Sequence, residues 1–267
     1  MTNKPKILLV NDDGIDASGI WHLWDALKEV GELFVVAPSQ ERSGASLGLT
    51  IHQPLTIHPV KWENKTPAWK INGTPADCVR FALRLLLEET PDLIVSGINC
   101  GSNSGRTVLY SGTVGGVIEG ALKGIPGIAF SCENFDEPDF ENAKPYIVPI
   151  VNHILEHPLS KGTILNVNFP THGKETKGLR LATQGRSLWV EDPAHRLHPA
   201  GGHPYYWHGG RWDSHDEHED SDVSLLEKGY VTAVPIHVDQ LTDHAFFTER
   251  RALFDGILKN KFSVESS

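Results

Sequence analysis

Apolar positions along the chain fall into two kinds of run. Residues 7–10, 33–36, 93–95 and 128–130 are unbroken apolar stretches, and runs without alternation suit strands buried on both faces, as in a parallel sheet. Residues 163–169 and 229–235 predict further strands. Between them the spacing becomes helical. Ile20, Leu23, Trp24, Leu27 and Val30 mark one face of a helix over 19–30 that Gly31 closes. Thr74 as N-cap and Pro75 at the first turn open a second, with Val79, Ala82, Leu83 and Leu86 inward. A glycine-rich helix follows residue 113 and ends near 123–124, and another spans roughly 145–157. Thr242 or Asp243 caps a last helix that uses Phe247, Phe254 and Ile257. Residues 47–71 alternate loosely around Pro54, Pro59 and Pro67 and predict short antiparallel strands. The alternation of strand and helix predicts the α/β class: a Rossmann-like, mostly parallel sheet with helices on both faces.

Beyond residue 180 the character changes. Residues 186–222 are crowded with His, Trp, Tyr, Asp and Gly, a composition for a long hairpin or flap rather than a core. Such a segment packs on something else, and a second subunit is a candidate. The expected division is a Rossmann-like domain over 1–185 and a C-terminal hairpin or flap, strand and helix over 186–267, involved in oligomerisation. A chain of 267 residues accommodates this. Its formal charge of −10 argues against a nucleic-acid polymer as partner. Cys78, Cys100 and Cys132 are scattered without CxxC spacing, so neither a disulfide framework nor a zinc site is indicated. With no apolar signal core before the first strand and no run of transmembrane length, a cytoplasmic protein without membrane contact is expected.

Chemistry gathers where the strands end. Asp12 and Asp13 follow the first strand, and they face one target only if the chain turns there, which Gly14 permits. An isolated Asp-Asp-Gly reads as a solvated turn capping the next helix. Here Ser43 follows the second strand and Asn99 the third, making an all-oxygen set suited to Mg²⁺, Mn²⁺ or Ca²⁺ and poorly to zinc. Gly97, Gly101 and Gly105 allow close approach of backbone amides, or simply tight turns and close packing. Ser111-Gly112-Thr113 opens a helix whose free N–H groups favour an anion. Metal and anion nest together imply a phosphate. Neither a P-loop nor a dinucleotide fingerprint is present.

Seven segments carry a resemblance: residues 10–14 (Val-Asn-Asp-Asp-Gly), 37–44 (Ala-Pro-Ser through Arg-Ser-Gly), 72–79 (Asn-Gly-Thr-Pro-Ala-Asp-Cys-Val), 96–103 (Ser-Gly-Ile-Asn-Cys-Gly-Ser-Asn), 110–114 (Tyr-Ser-Gly-Thr-Val), 166–170 (Asn-Val-Asn-Phe-Pro) and 229–231 (Gly-Tyr-Val). In this order and spacing the chain resembles the SurE family from its first strand to about Thr242. The resemblance implies a divalent-metal-dependent phosphatase that hydrolyses 5′- and 3′-nucleoside monophosphates with a metal-activated water, with some polyphosphate cleavage. It also implies C-terminal elements that pair or swap between subunits of a homodimer or homotetramer. Carried over by motif, one Mg²⁺ or Mn²⁺ per subunit is held by Asp12, Asp13, Ser43 and Asn99. Asn103, Ser111, Gly112 and Thr113 line the phosphate pocket. Asp12 and Asp13 are the catalytic pair, with Asp12 aligning or deprotonating the water. Two competitors are a metal-dependent phosphatase of sugar phosphates or polyphosphate, and a nucleotide-binding sensor without catalysis. The histidines of 195–218 lack zinc spacing. Tyr205, Tyr206, Trp207 and Trp212 read as interface or lid aromatics ahead of base-stacking ones.

Overall fold

Strand β1 (Lys6–Val10) lies near the middle of a nine-stranded sheet in the computed structural model, which describes residues 4–136, 138–171 and 176–257. After it come α1 (Ser18–Leu27), β2 (Glu32–Pro38), β3 (Ile57–Pro59), β4 (Ala68–Ile71) and α2 (Pro75–Phe81). Next are β5 (Leu93–Cys100), α3 (Gly112–Ala121), β6 (Gly127–Cys132), α4 (Phe140–Glu156) and β7 (Thr163–Phe169). The chain continues through β8 (Leu179–Leu181), β9 (Leu188–Val190), β10 (Ala194–Leu197), β11 (Pro204–Trp207) and β12 (Arg211–Asp213). It closes with α5 (Asp222–Glu227), β13 (Val231–His237) and α6 (His244–Gly256).

The sheet order is β3-β4-β2-β1-β5-β6-β7-β13-β8. Pairing is parallel except where β3 meets β4 and where β13 meets β7. Successive side chains of β1 serve opposite layers, as a strand covered on both sides requires. Ile7 and Leu9 join the core that α1 and α4 complete, and Leu8 and Val10 join the core under α2 and α3. In α1 the buried face is Ile20, Leu23, Trp24 and Leu27, at the spacing read from the sequence. Burying each such side chain contributes about 1.5–3 kcal/mol. The chain leaves β1 toward β2 on one side and β5 lies on the other, so the sheet reverses direction of growth between β1 and β5. That is the switch point where an open α/β sheet leaves a crevice beyond its carboxyl ends.

Three elements differ from their sequence expectations. Residues 47–71 yield only the two short strands β3 and β4, and β4 runs parallel to β2. Helix α4 begins at Phe140, with Asp139 accepting from Asn142 N, ahead of the expected start near 145. Pro145 and Pro149 lie inside it, where their missing N–H groups mask a helical signal. Strand β13, from the segment after 185, inserts between β7 and β8, antiparallel to β7 and parallel to β8. The hairpin takes a nested form: β9 pairs with β12 and β10 with β11, both antiparallel. Asp243, one of the two expected caps, accepts from Phe246 N at 2.9 Å to start α6.

Helix α1 packs so closely on β5 that a Cβ at Gly19 would meet Ile98 O at 2.0 Å. Gly19→Ala should therefore cost roughly 1–3 kcal/mol as an overpacking change. A thermal melt lowered by about 5 °C is expected, and an unchanged melt would show that α1 can shift freely against β5.

Candidate functional site

The turn after β1 is built from its own residues. Asn11 Nδ2 donates to Gly14 O at 2.8 Å and Gly14 N donates to Asn11 Oδ1 at 3.2 Å. Gly14 has φ +103°, a left-handed conformation that other residues rarely adopt. The closed turn leaves Asp12 buried and Asp13 half-buried at the crevice. Asp12 Oδ1 accepts from Thr113 Oγ1 at 2.5 Å, and its backbone oxygen accepts from Arg42 N at 2.7 Å. Asp13 Oδ2 accepts from Cys100 N at 3.4 Å. A Cβ at Gly112 would stand 2.8 Å from Asp12 Cβ, so α3 approaches Asp12 as closely as a glycine allows.

Asp12, Ser43 and Asn99 share the wall of one cavity of about 710 Å³ with Asn103 and Ser111. Ser43 Oγ donates to Glu41 Oε1 at 2.7 Å, which leaves its lone pairs free. Asn99 Nδ2 donates to Gly101 O at 2.7 Å, which leaves its carbonyl oxygen free. Three of the predicted quartet thus line the cavity, from the turn after β1, the loop after β2 and the end of β5, while Asp13 is outside that lining and reaches the Cys100 amide. Burial lifts the Asp12 carboxyl to about 6, and burial together with the Asp12 charge lifts Asp13 to about 7. The charge of Glu41 contributes to both rises, and neither carboxylate forms an ion pair with a Lys, Arg or His among the described residues. Two neighbouring carboxylates without a side-chain cation, flanked by free hydroxyl and amide oxygens, fit a hard divalent cation. Among the described residues no group of three or more His, Cys, Asp and Glu could hold a metal, so a site here draws on Ser and Asn.

The phosphate-lining candidates separate. Ser111 Oγ accepts from Val114 N at 3.1 Å as the N-cap of α3, and Ser111 lines the cavity. Thr113 is fully buried and its hydroxyl is committed to Asp12. Asn103 also lines the cavity, while its Nδ2 donates to Ser131 Oγ at 2.8 Å. The backbone of Asn103 is pinned by the sheet: its N donates to Asn168 Oδ1 at 2.7 Å, and its O accepts from Asn166 Nδ2 at 2.9 Å. Asn166 and Asn168 thus have a positioning task that their place on a strand did not disclose.

An aromatic wall completes the cavity. Trp189 and Trp212 stand edge to face with centroids 5.7 Å apart, and Tyr110 and Phe135 join them. Trp189, Phe135 and Glu41 were missed in the sequence, although Glu41 lies only two residues before Ser43. Tyr205, Tyr206 and Trp207 sit apart on exposed β11. The base of the hairpin is clamped to the site. Asp222 accepts from Gly105 N at 3.0 Å, Gly185 N at 2.8 Å and Gln184 Nε2 at 2.9 Å. Glu217 Oε1 accepts from Ser187 N and Oγ, both at 2.7 Å.

The raised carboxylates set a stability prediction. A carboxyl with a folded pKa above its unfolded one loses stability as it ionises, so its penalty is full above about 7 and absent below about 4. Asp13→Asn should therefore raise the melting temperature of chelator-treated protein by roughly 5 °C at pH 8, and the gain should shrink toward zero near pH 4. An equal gain at both pH values would mean that charge is not the cause.

Sequence and structural comparisons agree with this geometry. A sequence model of the family described as "Survival protein SurE" matches residues 7–191. The chain is 47% identical over 257 residues to the 5′-nucleotidase SurE of Protochlamydia amoebophila, covering 96% of this chain and 98% of that one. It is 43% identical over 244 residues to the 5′-nucleotidase SurE of Caldanaerobacter subterraneus subsp. tengcongensis, covering 90% and 94%. Among solved structures, the SurE protein from Aquifex aeolicus superposes with a TM-score of 0.79 at 38% identity, covering 94% of this chain and all of that one. With two such relatives aligned along nearly their whole length and the fold shared, the chain belongs to the SurE family.

Proposed function

We propose that the protein is a divalent-metal-dependent phosphatase of nucleoside 5′- and 3′-monophosphates. The observation that carries the reading is the adjacency of buried Asp12 and half-buried Asp13, with Asp12 lining a cavity that also presents a helix N-terminus and an aromatic wall. A cation such as Mg²⁺ or Mn²⁺, held by Asp12, Asp13, Ser43 and Asn99, would supply charge neutralisation at the phosphoryl oxygens and acidify water. The chain does the rest. Thr113 holds Asp12 in one rotamer, and Asp12 aligns the attacking water and takes its proton. Asn103, Ser111 and the first amides of α3 hold the phosphate. Trp189 and Trp212 offer flat apolar faces to a base. A cavity of about 710 Å³ is ample for a nucleotide. The aromatic wall favours nucleotides over polyphosphate or sugar phosphates, which have no base to stack.

Phosphate release from a panel of nucleoside monophosphates, polyphosphate and sugar phosphates tests the reading. Activity should vanish with chelator and return with Mg²⁺ or Mn²⁺. At saturating metal, Asp12→Asn should retain a turnover about a hundredfold or more below the parent, as for a lost general base. Asn99→Ala should recover substantially with added metal or substrate. Parent-like turnover of Asp12→Asn at high metal would leave Asp12 a ligand only, and full activity in excess chelator would sink the metal mechanism.

We also infer a homodimer or homotetramer built through residues 186–267. Helix α6 buries none of its 13 residues, and Phe246, Phe247, Leu253 and Phe254 all stand exposed. Exposed apolar surface of this extent marks an interface. No helix among the described residues is long and apolar enough to cross a membrane. The three free thiols suit a reducing cytoplasm. By light scattering, a chain ended at Leu241 should lose subunits relative to the full chain. Equal masses for the two, across a wide concentration range, would remove α6 from the interface.

A further inference from the structure

A second cavity, of about 480 Å³, lies at the other end of the sheet, beside the residues that precede β5. Three cations line it, Arg80, Arg84 and Lys123, around an apolar lining of Phe81, Leu83, Leu85 and Ile125. Helix α3 joins the two places: its first turn presses on Asp12, and Lys123 follows its last turn. Its 10 residues span about 15 Å, so one ligand cannot fill both cavities through the protein.

Lys and Arg at helix C-termini ordinarily complement the helix dipole, and Arg80, Arg84 and Lys123 all lie at or near such ends. Arg80 and Lys123 also pair with buried Glu119, at 3.5 and 3.7 Å. The exposed Arg84 side chain makes no hydrogen bond or ion pair among the described residues, and it projects from the π-helical turn Ala82–Leu86 that ends this helical segment. Such turns are frequent at functional sites. Leu85, in the same turn, is 62% exposed. On a chain of net charge −10, a cavity with three cations and one partly compensating carboxylate is a local reversal of sign. Inorganic phosphate alone would leave the apolar lining wet, and a neutral apolar molecule would leave Arg84 unmatched.

We propose that this cavity binds a small amphipathic organic anion, with a phosphate or carboxylate head on Arg84 and Lys123 and an apolar or aromatic body against Phe81, Leu83 and Ile125. The site is separate from the catalytic cavity and needs none of its residues.

The test uses the full chain and the fluorescent anion 8-anilinonaphthalene-1-sulfonate as probe. One equivalent of binding should be present in the parent and in Asp12→Asn. It should weaken by about tenfold or more in Arg84→Glu/Lys123→Glu, the scale of a lost charge-assisted contact. It should also weaken in Thr90→Trp, which fills the cavity without altering charge. Phenylphosphonate and octanoate as competitors distinguish a phosphate-type from a carboxylate-type head, and displacement by either supports the site. Phosphatase turnover without probe should be unchanged in these Arg84, Lys123 and Thr90 variants, which also verifies folding. Equal probe binding in parent and variants would overturn the proposal, as would equal binding of the neutral N-phenyl-1-naphthylamine. A fall in oligomer mass on Arg84→Glu/Lys123→Glu would overturn it too, because the face would then be covered by a second copy.

Discussion

The enforced proximity of two carboxylates at the end of β1 is the constraint around which the rest is arranged. Backbone geometry alone would point Asp12 and Asp13 to opposite faces of the sheet. The Asn11–Gly14 turn overrides that and leaves both at one crevice. Burial and mutual repulsion then oppose their ionisation. The surrounding residues hold the pair in place without neutralising it. Thr113 donates to Asp12 from α3, the Cys100 amide donates to Asp13 from β5, and Arg42 contributes its backbone N–H while its guanidinium reaches Asn72 O. Because burial and the neighbouring charge oppose ionisation of both, the arrangement costs stability when both are ionised.

Sheet topology explains why donors from distant segments meet. The switch point lies between β1 and β5, so the loops after β1, β2 and β5 converge without any long excursion of the chain. Asn103 and Ser111 enter from the segment that joins β5 to α3. That segment is tied to β7 by Asn166 and Asn168, whose side chains are fully buried. Each of these buried amides is paired through one polar atom, Asn166 Nδ2 with Asn103 O and Asn168 Oδ1 with Asn103 N, while Asn166 Oδ1 and Asn168 Nδ2 have no partner among the described residues. The same bonds fix the position of the loop. Strand β7 therefore acts on the site at one remove.

Much of this was legible in the sequence, for identifiable reasons. Strands buried on both faces leave solid apolar runs, so β1, β2, β5 and β6 were plain. Asp12, Asp13, Ser43 and Asn99 were named from position and residue type, and Asp12, Ser43 and Asn99 do line one cavity, Asn99 from within β5 rather than past its end. What could not be read depends on partners distant in sequence. Nothing local in residues 229–235 says that β13 inserts antiparallel beside β7. The positioning task of Asn166 and Asn168 could not be read locally, because their partner backbone lies more than sixty residues earlier. Prolines hid the start of α4, whose apolar face still buries Phe140, Ala143 and Ile147. A hydroxyl at a helix start suggests an anion contact, and only the fold reveals that Thr113 donates to Asp12.

The C-terminal segment is fastened to the candidate site more tightly than its composition suggested. Its hairpin begins at β9, and Trp189 of β9 faces the cavity with Trp212 of β12, while the outer strands β10 and β11 and helix α6 extend into solvent. Asp222 and Glu217 clamp the hairpin base through backbone amides of residues 105 and 185–187, which come from both sides of the junction. Because Asp222 is fully buried and accepts four hydrogen bonds, the clamp resists opening far more than a surface contact would. One buried carboxylate therefore ties the base of the hairpin, and with it the aromatic wall, to the loop that carries Asn103 and Ser111.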